Sequence, residues 1–137
     1  MFSLIISIIA IALVVVLAGA SLYYGGDAFN KGTSKGEAAK LINEAQQIQG
    51  AFTMHKVDEK GLEPASVAEL TTDEYLAADL SAVPAAWTFD LASDPQTVQG
   101  TAPSSDVCDE INAAGNSQAT CAGDGGSPEV FTVTYVL

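Results

Sequence analysis

From Phe2 to Tyr24 the chain is one apolar run, FSLIISIIAIALVVVLAGASLYY, with no charged side chain and aliphatic hydroxyls only at Ser3, Ser7 and Ser21. At about 1.5 Å per residue a helix of this length reaches roughly 34 Å, enough for a hydrocarbon core. Tyr23 and Tyr24 fall where the aromatic belt of a membrane helix lies. A secretory signal carries basic leading residues, a shorter apolar core and a small-residue cleavage site, so the run reads as a retained membrane-compatible helix. The texture then changes to GGDAFNKGTSKG, with glycines at 25, 26, 32 and 36. Each interior glycine costs a helix about 1 kcal/mol relative to alanine, which predicts an unwound or bent connector over 25–36 with its break at Gly25 and Gly26.

Helical periodicity resumes with Ser34 as N-cap and Glu37 three positions on, a capping box. Ala38, Leu41, Ile42, Ala45, Ile48 and Phe52 share one face, while Lys40, Glu44 and Gln47 share the other. Lys40 and Glu44 form an i,i+4 pair of opposite charge. The stripe is read as core packing against a sheet. Beyond Gly61 the elements shorten. Pro64 to Leu70 predicts a brief helix start, Thr72 to Leu80 another turn or two, and Ser105 to Ala113 a short helix carrying Cys108. Trp87 to Leu91 and Thr97 to Thr101 have the Thr, Val and aromatic content of strands. The terminal VFTVTYVL alternates Phe131, Val133, Tyr135 and Leu137 against Val130, Thr132, Thr134 and Val136, the pattern of a strand with one buried face.

The pattern gives an α+β chain in three parts. Residues 1–24 form an apolar helix, 25–36 a glycine-rich connector and 37–137 a folded head. The head comprises an amphipathic helix (37–56) packed on a small antiparallel sheet with a disulfide-tied C-terminal loop (57–137).

Charge sharpens this division. The formal net charge is −12, with five lysines and 17 acids. Lys31, Lys35, Lys40, Lys56 and Lys60 balance five acids within residues 1–60, so the excess of twelve acids lies wholly in 61–137. Such a chain lacks the cations that displace phosphate counterions, which excludes binding to duplex nucleic acid. Lysines just past a membrane helix favour a cytoplasmic position for that flank. The two cysteines point the other way. Cys108 and Cys121 bound a 14-residue loop rich in Gly, Ser and Asp, a pairing suited to an oxidising compartment, where loop closure contributes about 3 kcal/mol. The competing reading is two free thiols in a reducing one.

Candidate chemistry is sparse. A Cys/His zinc site needs about four ligands, and the three Cys and His residues stand at unsuitable spacings. His55, the single histidine, is placed near the end of the amphipathic helix, where its charge suits the dipole. No nucleophile or orienting partner accompanies it, so no enzyme is predicted. Asp106, Asp109, Glu110 and Asp124 around the cysteines form a solvated acidic face rather than a calcium loop, whose spacing they lack. Tyr23, Tyr24, Phe29 and Phe52 are read as ordinary packing. No cofactor or metal is expected.

The start Met1-Phe2-Ser3-Leu4-Ile5, the uncharged helix behind it, the continuation AAKLINEAQQIQGAF, the segment SVAELTTDEYLAADLSAVPAAWTFD and the late cysteine pair together resemble a type IV pilin, with Met1 similar to the type IVb subclass. The order of elements carries the likeness over nearly the whole chain. It implies a structural subunit that sits in the bacterial inner membrane and then assembles into a helical cell-surface filament. It also implies processing by a prepilin peptidase, methylation at Met1 and handling by pilus assembly machinery. The filament core would be built from Phe2, Leu4, Ile5, Ile8, Ile9, Leu13, Val15 and Leu17. Where such pilins carry a glutamate at the fifth mature position, this chain has Ile5 and no acid before Asp27. A neighbour's terminal ammonium therefore has no carboxylate to meet in hydrocarbon. Two further readings stay open: a minor pilin or secretion pseudopilin at a filament tip, and a single-pass anchored extracytoplasmic binding domain.

Overall fold

A computed structural model describes all residues except Val83, Gly115, Asn116 and Pro128. The longest element is α1, Phe2–Asp58. It is followed by α2 (Val67–Thr72), β1 (Thr88–Asp90), β2 (Thr97–Ala102), α3 (Ser105–Ala113), β3 (Ala119–Gly123) and β4 (Phe131–Val136). The chain falls into two compact units, Met1–Thr33 and Ser34–Leu137. The strands form one antiparallel sheet in the order β1-β2-β4-β3. The α+β layout expected from the pattern is present.

The break expected at Gly25 and Gly26 is absent, because the helix runs through both. Interrupting a helix strands up to four amide and four carbonyl groups at the new ends, a penalty larger than two glycine propensities. Two turns further on, Thr33 Oγ1 donates to the Phe29 carbonyl one helical turn back (3.0 Å). Ser34 is accordingly an interior helical residue and not an N-cap.

The head is built on the predicted stripe. Ala38, Leu41, Ala45, Ile48, Ala51, Phe52 and His55 of α1 are buried, and Ile42 packs partly buried beside them. Facing them from the sheet are Val98, Ala102, Val133 and Tyr135, with Val107 and Ile111 of α3 and Val67 and Leu70 of α2 completing the core. Trp87, 1% exposed, sits at the centre. Its Nε1 donates to Glu44 Oε2 of α1 (2.9 Å). Its six-membered ring lies so close to β2 that a Cβ at position 100 would stand 2.6 Å from Cε3, so only glycine fits there. Phe52 packs edge-on against Phe89 of β1, ring centroids 5.3 Å apart.

Two local departures have physical reasons. The segment 73–80 makes turns rather than helix, because α2 ends at Asp73 and the amides of Tyr75 and Leu76 both return to the Leu70 carbonyl. Strand β3, ATCAG, was not expected from its small residues. It is held by β4 on one side, with Cys121 opposite Val133. On the other side the Asn112 amide of α3 donates to the Cys121 carbonyl and accepts its N–H, each at 2.9 Å. A side chain thus stands in for a missing neighbour strand and occupies the polar groups an edge leaves open.

Candidate functional site: the uncovered apolar helix

Residues Phe2, Leu4, Ile5, Ile8, Ile9, Leu13, Val15 and Leu17 are all exposed, from 53% at Ile5 to 85% at Phe2. They are consecutive turns of α1, and Ile6, Ile11, Val14 and Val16 between them are equally uncovered. Apolar surface therefore points outward on every side of the helix. The segment is long and apolar enough to cross a membrane. At about 25 cal/mol per Å² such surface is strongly unfavourable in water, and an interface on one face would leave the rest wet. The arrangement suits an environment that is apolar all round.

Two of the three serines in the apolar run turn back onto the helix backbone. Ser7 Oγ donates to the Ser3 carbonyl and Ser21 Oγ to the Leu17 carbonyl, both at 2.9 Å. A helix whose hydroxyls are paired this way carries little desolvation cost into hydrocarbon. Tyr23 and Tyr24 stack edge to face at 5.8 Å. Gly19, Gly25 and Gly26 have open space where a side chain would stand, so another helix could approach the backbone closely there. Ile5 N–H reaches the Met1 carbonyl at 3.4 Å, the first turn of the helix.

In the head, Cys108 of α3 and Cys121 of β3 are bonded, with Cα atoms 5.2 Å apart. The bond and the Asn112 bridge fasten the same helix to the same strand. Asp124 is not gathered with Asp106, Asp109 and Glu110 into a ligand set. Its carboxylate accepts the backbone N–H groups of Val130 and Gly126, which hold it below the usual aspartate range. Glu63 is likewise held low by Lys56 Nζ and then by Gln96 Nε2, each at 2.9 Å. His55 lies in the last turn of α1 as expected, but buried, against the Tyr75 ring at 5.4 Å. Among the described residues the group of metal-capable side chains that converges is His55, Glu69 and Asp73. Cysteine and histidine spacing alone does not reveal this group, because its two carboxylates stand 14 and 18 positions beyond the histidine.

Compared with family models, with curated proteins and with solved structures, the chain matches none.

Proposed function

We propose that this chain is the structural subunit of a type IV pilus-like surface filament, held in a bacterial inner membrane before assembly and packed helix against helix within the filament afterwards. The observation that carries the reading is the joining of two unlike pieces in one chain. One is a helix apolar on every side, and the other is a disulfide-tied α+β head. The layout is compatible with a pilin-like fold. A bilayer and a bundle of like helices are the two environments that cover such a helix all round. Small residues at Ala10, Ala12, Ala18, Gly19 and Ala20 let neighbouring helices approach closely, which favours assembly over a lone anchor. Prepilin-peptidase processing, methylation at Met1 and export by the pilus assembly machinery belong to the same reading.

Ile5 shapes how assembly works here. With no acid before Asp27, the core holds no ion pair, and lateral packing of Phe2 to Tyr24 supplies the cohesion. Covering about 100 Å² on each of some twenty residues contributes tens of kcal/mol before entropy. A buried ion pair often nets near zero after desolvation. The same Ile5 favours a second reading, a minor pilin or pseudopilin at a filament tip, where no such pairing is needed. Electron microscopy of sheared surface filaments with antibody against the head separates the readings. Labelling along the whole length supports the structural subunit, and labelling at one end alone supports the tip subunit. Absence from filaments leaves a single-pass anchored binding domain and overturns both.

A further inference from the structure

We propose that His55, Glu69 and Asp73 form a binding site for a divalent cation of the zinc class, with an imidazole nitrogen and one oxygen of each carboxylate as ligands. The side chains come from adjacent pieces of the head: the last turn of α1, the first turn of α2 and the residue that ends α2. Their ligand atoms lie within 4.8 Å of one another.

The imidazole is the informative member. His55 is 4% exposed, and its Nδ1 is buried with no hydrogen-bond partner among the described residues. The nitrogen beside the Asp73 carboxylate is the other one, Nε2, so an ion bound there leaves the ring proton on Nδ1. Its Nε2 stands 3.4 Å from Asp73 Oδ2. That is longer than the roughly 2.7–2.9 Å of a charge-assisted hydrogen bond. It matches the separation of two ligands on a tetrahedral zinc, about 3.3–3.4 Å when each lies about 2.0–2.1 Å from the ion.

The carboxylates are placed to complete the shell. Glu69 Oε2 accepts the Ala65 backbone N–H, and the Glu69 N–H is bound by Ser66 Oγ, so the side chain is oriented by its own loop. Outer bonds of this kind are what hold a metal ligand in register. The Asp73 side chain is 42% exposed, which gives the ion access from solvent and leaves room for water as the fourth ligand. The Tyr75 ring packs edge-on against the imidazole and holds its orientation. One neutral imidazole and two carboxylates bring two negative charges to a doubly positive ion. The mixed nitrogen and oxygen set suits zinc, whereas calcium and magnesium want oxygen throughout.

The test uses the full chain in detergent, stripped with chelator, dialysed and titrated with zinc chloride, with bound zinc measured by atomic emission and affinity by competition with a chromophoric chelator. The expected result is one zinc per chain and an upward shift in the melting temperature of the head. Asp73→Asn, on the solvent side, should weaken zinc at least tenfold while leaving the metal-free melting temperature in place, and Glu69→Gln, which keeps an oxygen for the Ala65 N–H, should weaken zinc by at least as much. X-ray absorption on the zinc-loaded parent chain needs no variant and should show an imidazole in a four-coordinate nitrogen and oxygen shell. Zinc bound at less than one per chain, calcium bound as tightly as zinc, affinity unchanged in both variants, or a shell of oxygen alone each overturns the proposal. None of these outcomes bears on filament assembly.

Discussion

Residues 1–33 and 34–137 share one helix and use it in opposite ways. In the first unit α1 exposes Phe2, Leu4, Ile8, Leu13 and Leu17 without covering any of them. In the second, the same helix hides Ala38, Leu41, Ala45, Ile48 and Phe52 and turns Lys40 outward. Backbone hydrogen bonding is identical in kind along both. Only the side-chain pattern differs, all-round apolar in one and a single stripe in the other, and that pattern decides whether the helix is completed by its own chain or by something outside it. The head is self-sufficient for burial, whereas the first unit is not.

If the head stands on its own core, damage there should unfold it while leaving the first unit helical. Trp87→Ala removes the ring that fills the space over Gly100 and the bond to Glu44, and should cost about 3–5 kcal/mol in urea denaturation of the head. Cys108→Ser should cost about 3 kcal/mol by opening the 108–121 loop. The same substitution should make residues 101–130 the first site of limited proteolysis and lower filament yield. Free thiols at both positions in native filaments would contradict it.

A smaller effect belongs to two glycines inside the first unit. Gly25→Ala with Gly26→Ala should stabilise the local helix by about 1 kcal/mol per site, slowing amide exchange across that stretch several-fold and leaving the head unchanged. The smallest effect is electrostatic. Glu63 and Asp124 are held below their usual ranges by hydrogen bonds in the folded head. Their contribution is therefore present above about pH 4 and lost as pH falls through the lower folded values. Both are solvated, so the urea midpoint should drop only slightly between pH 6 and pH 3. The drop should flatten further in the Glu63→Gln, Asp124→Asn double variant.

The head was legible in the sequence wherever one element's own pattern decides its fate. The stripe from Ala38 to Phe52 and the alternation of Phe131–Val136 each carry their period, and the helix Ser105–Ala113 has its cap in Ser104 just ahead of it. Strand β3 was not legible, because in Ala119–Gly123 only Thr120 is a β-branched residue and the segment is made a strand by Asn112, Cys108 and β4, all distant in sequence or outside the strand. The helix through Gly25 and Gly26 was missed because residue propensity is a local cost and helix continuity is a cooperative gain. The convergence of His55 with Glu69 and Asp73 depends on how the chain turns between α1 and α2, which no spacing rule encodes.

The central claim is that the uncovered helix is completed by copies of itself, with apolar packing and no ion pair. It is tested most directly by counting surface filaments made by cells carrying Ile8→Asp beside cells carrying Ile5→Glu, with the head's folding confirmed in both. Ile8 is 59% exposed and apolar on all neighbouring turns, so a carboxylate there has no partner and costs about 2.5–3.5 kcal/mol per helix at membrane depth. Ile5→Glu places an acid within reach of a neighbour's terminal ammonium. The account predicts no filaments with Ile8→Asp, and filaments at parental number or above with Ile5→Glu. Normal filaments from Ile8→Asp cells would contradict it.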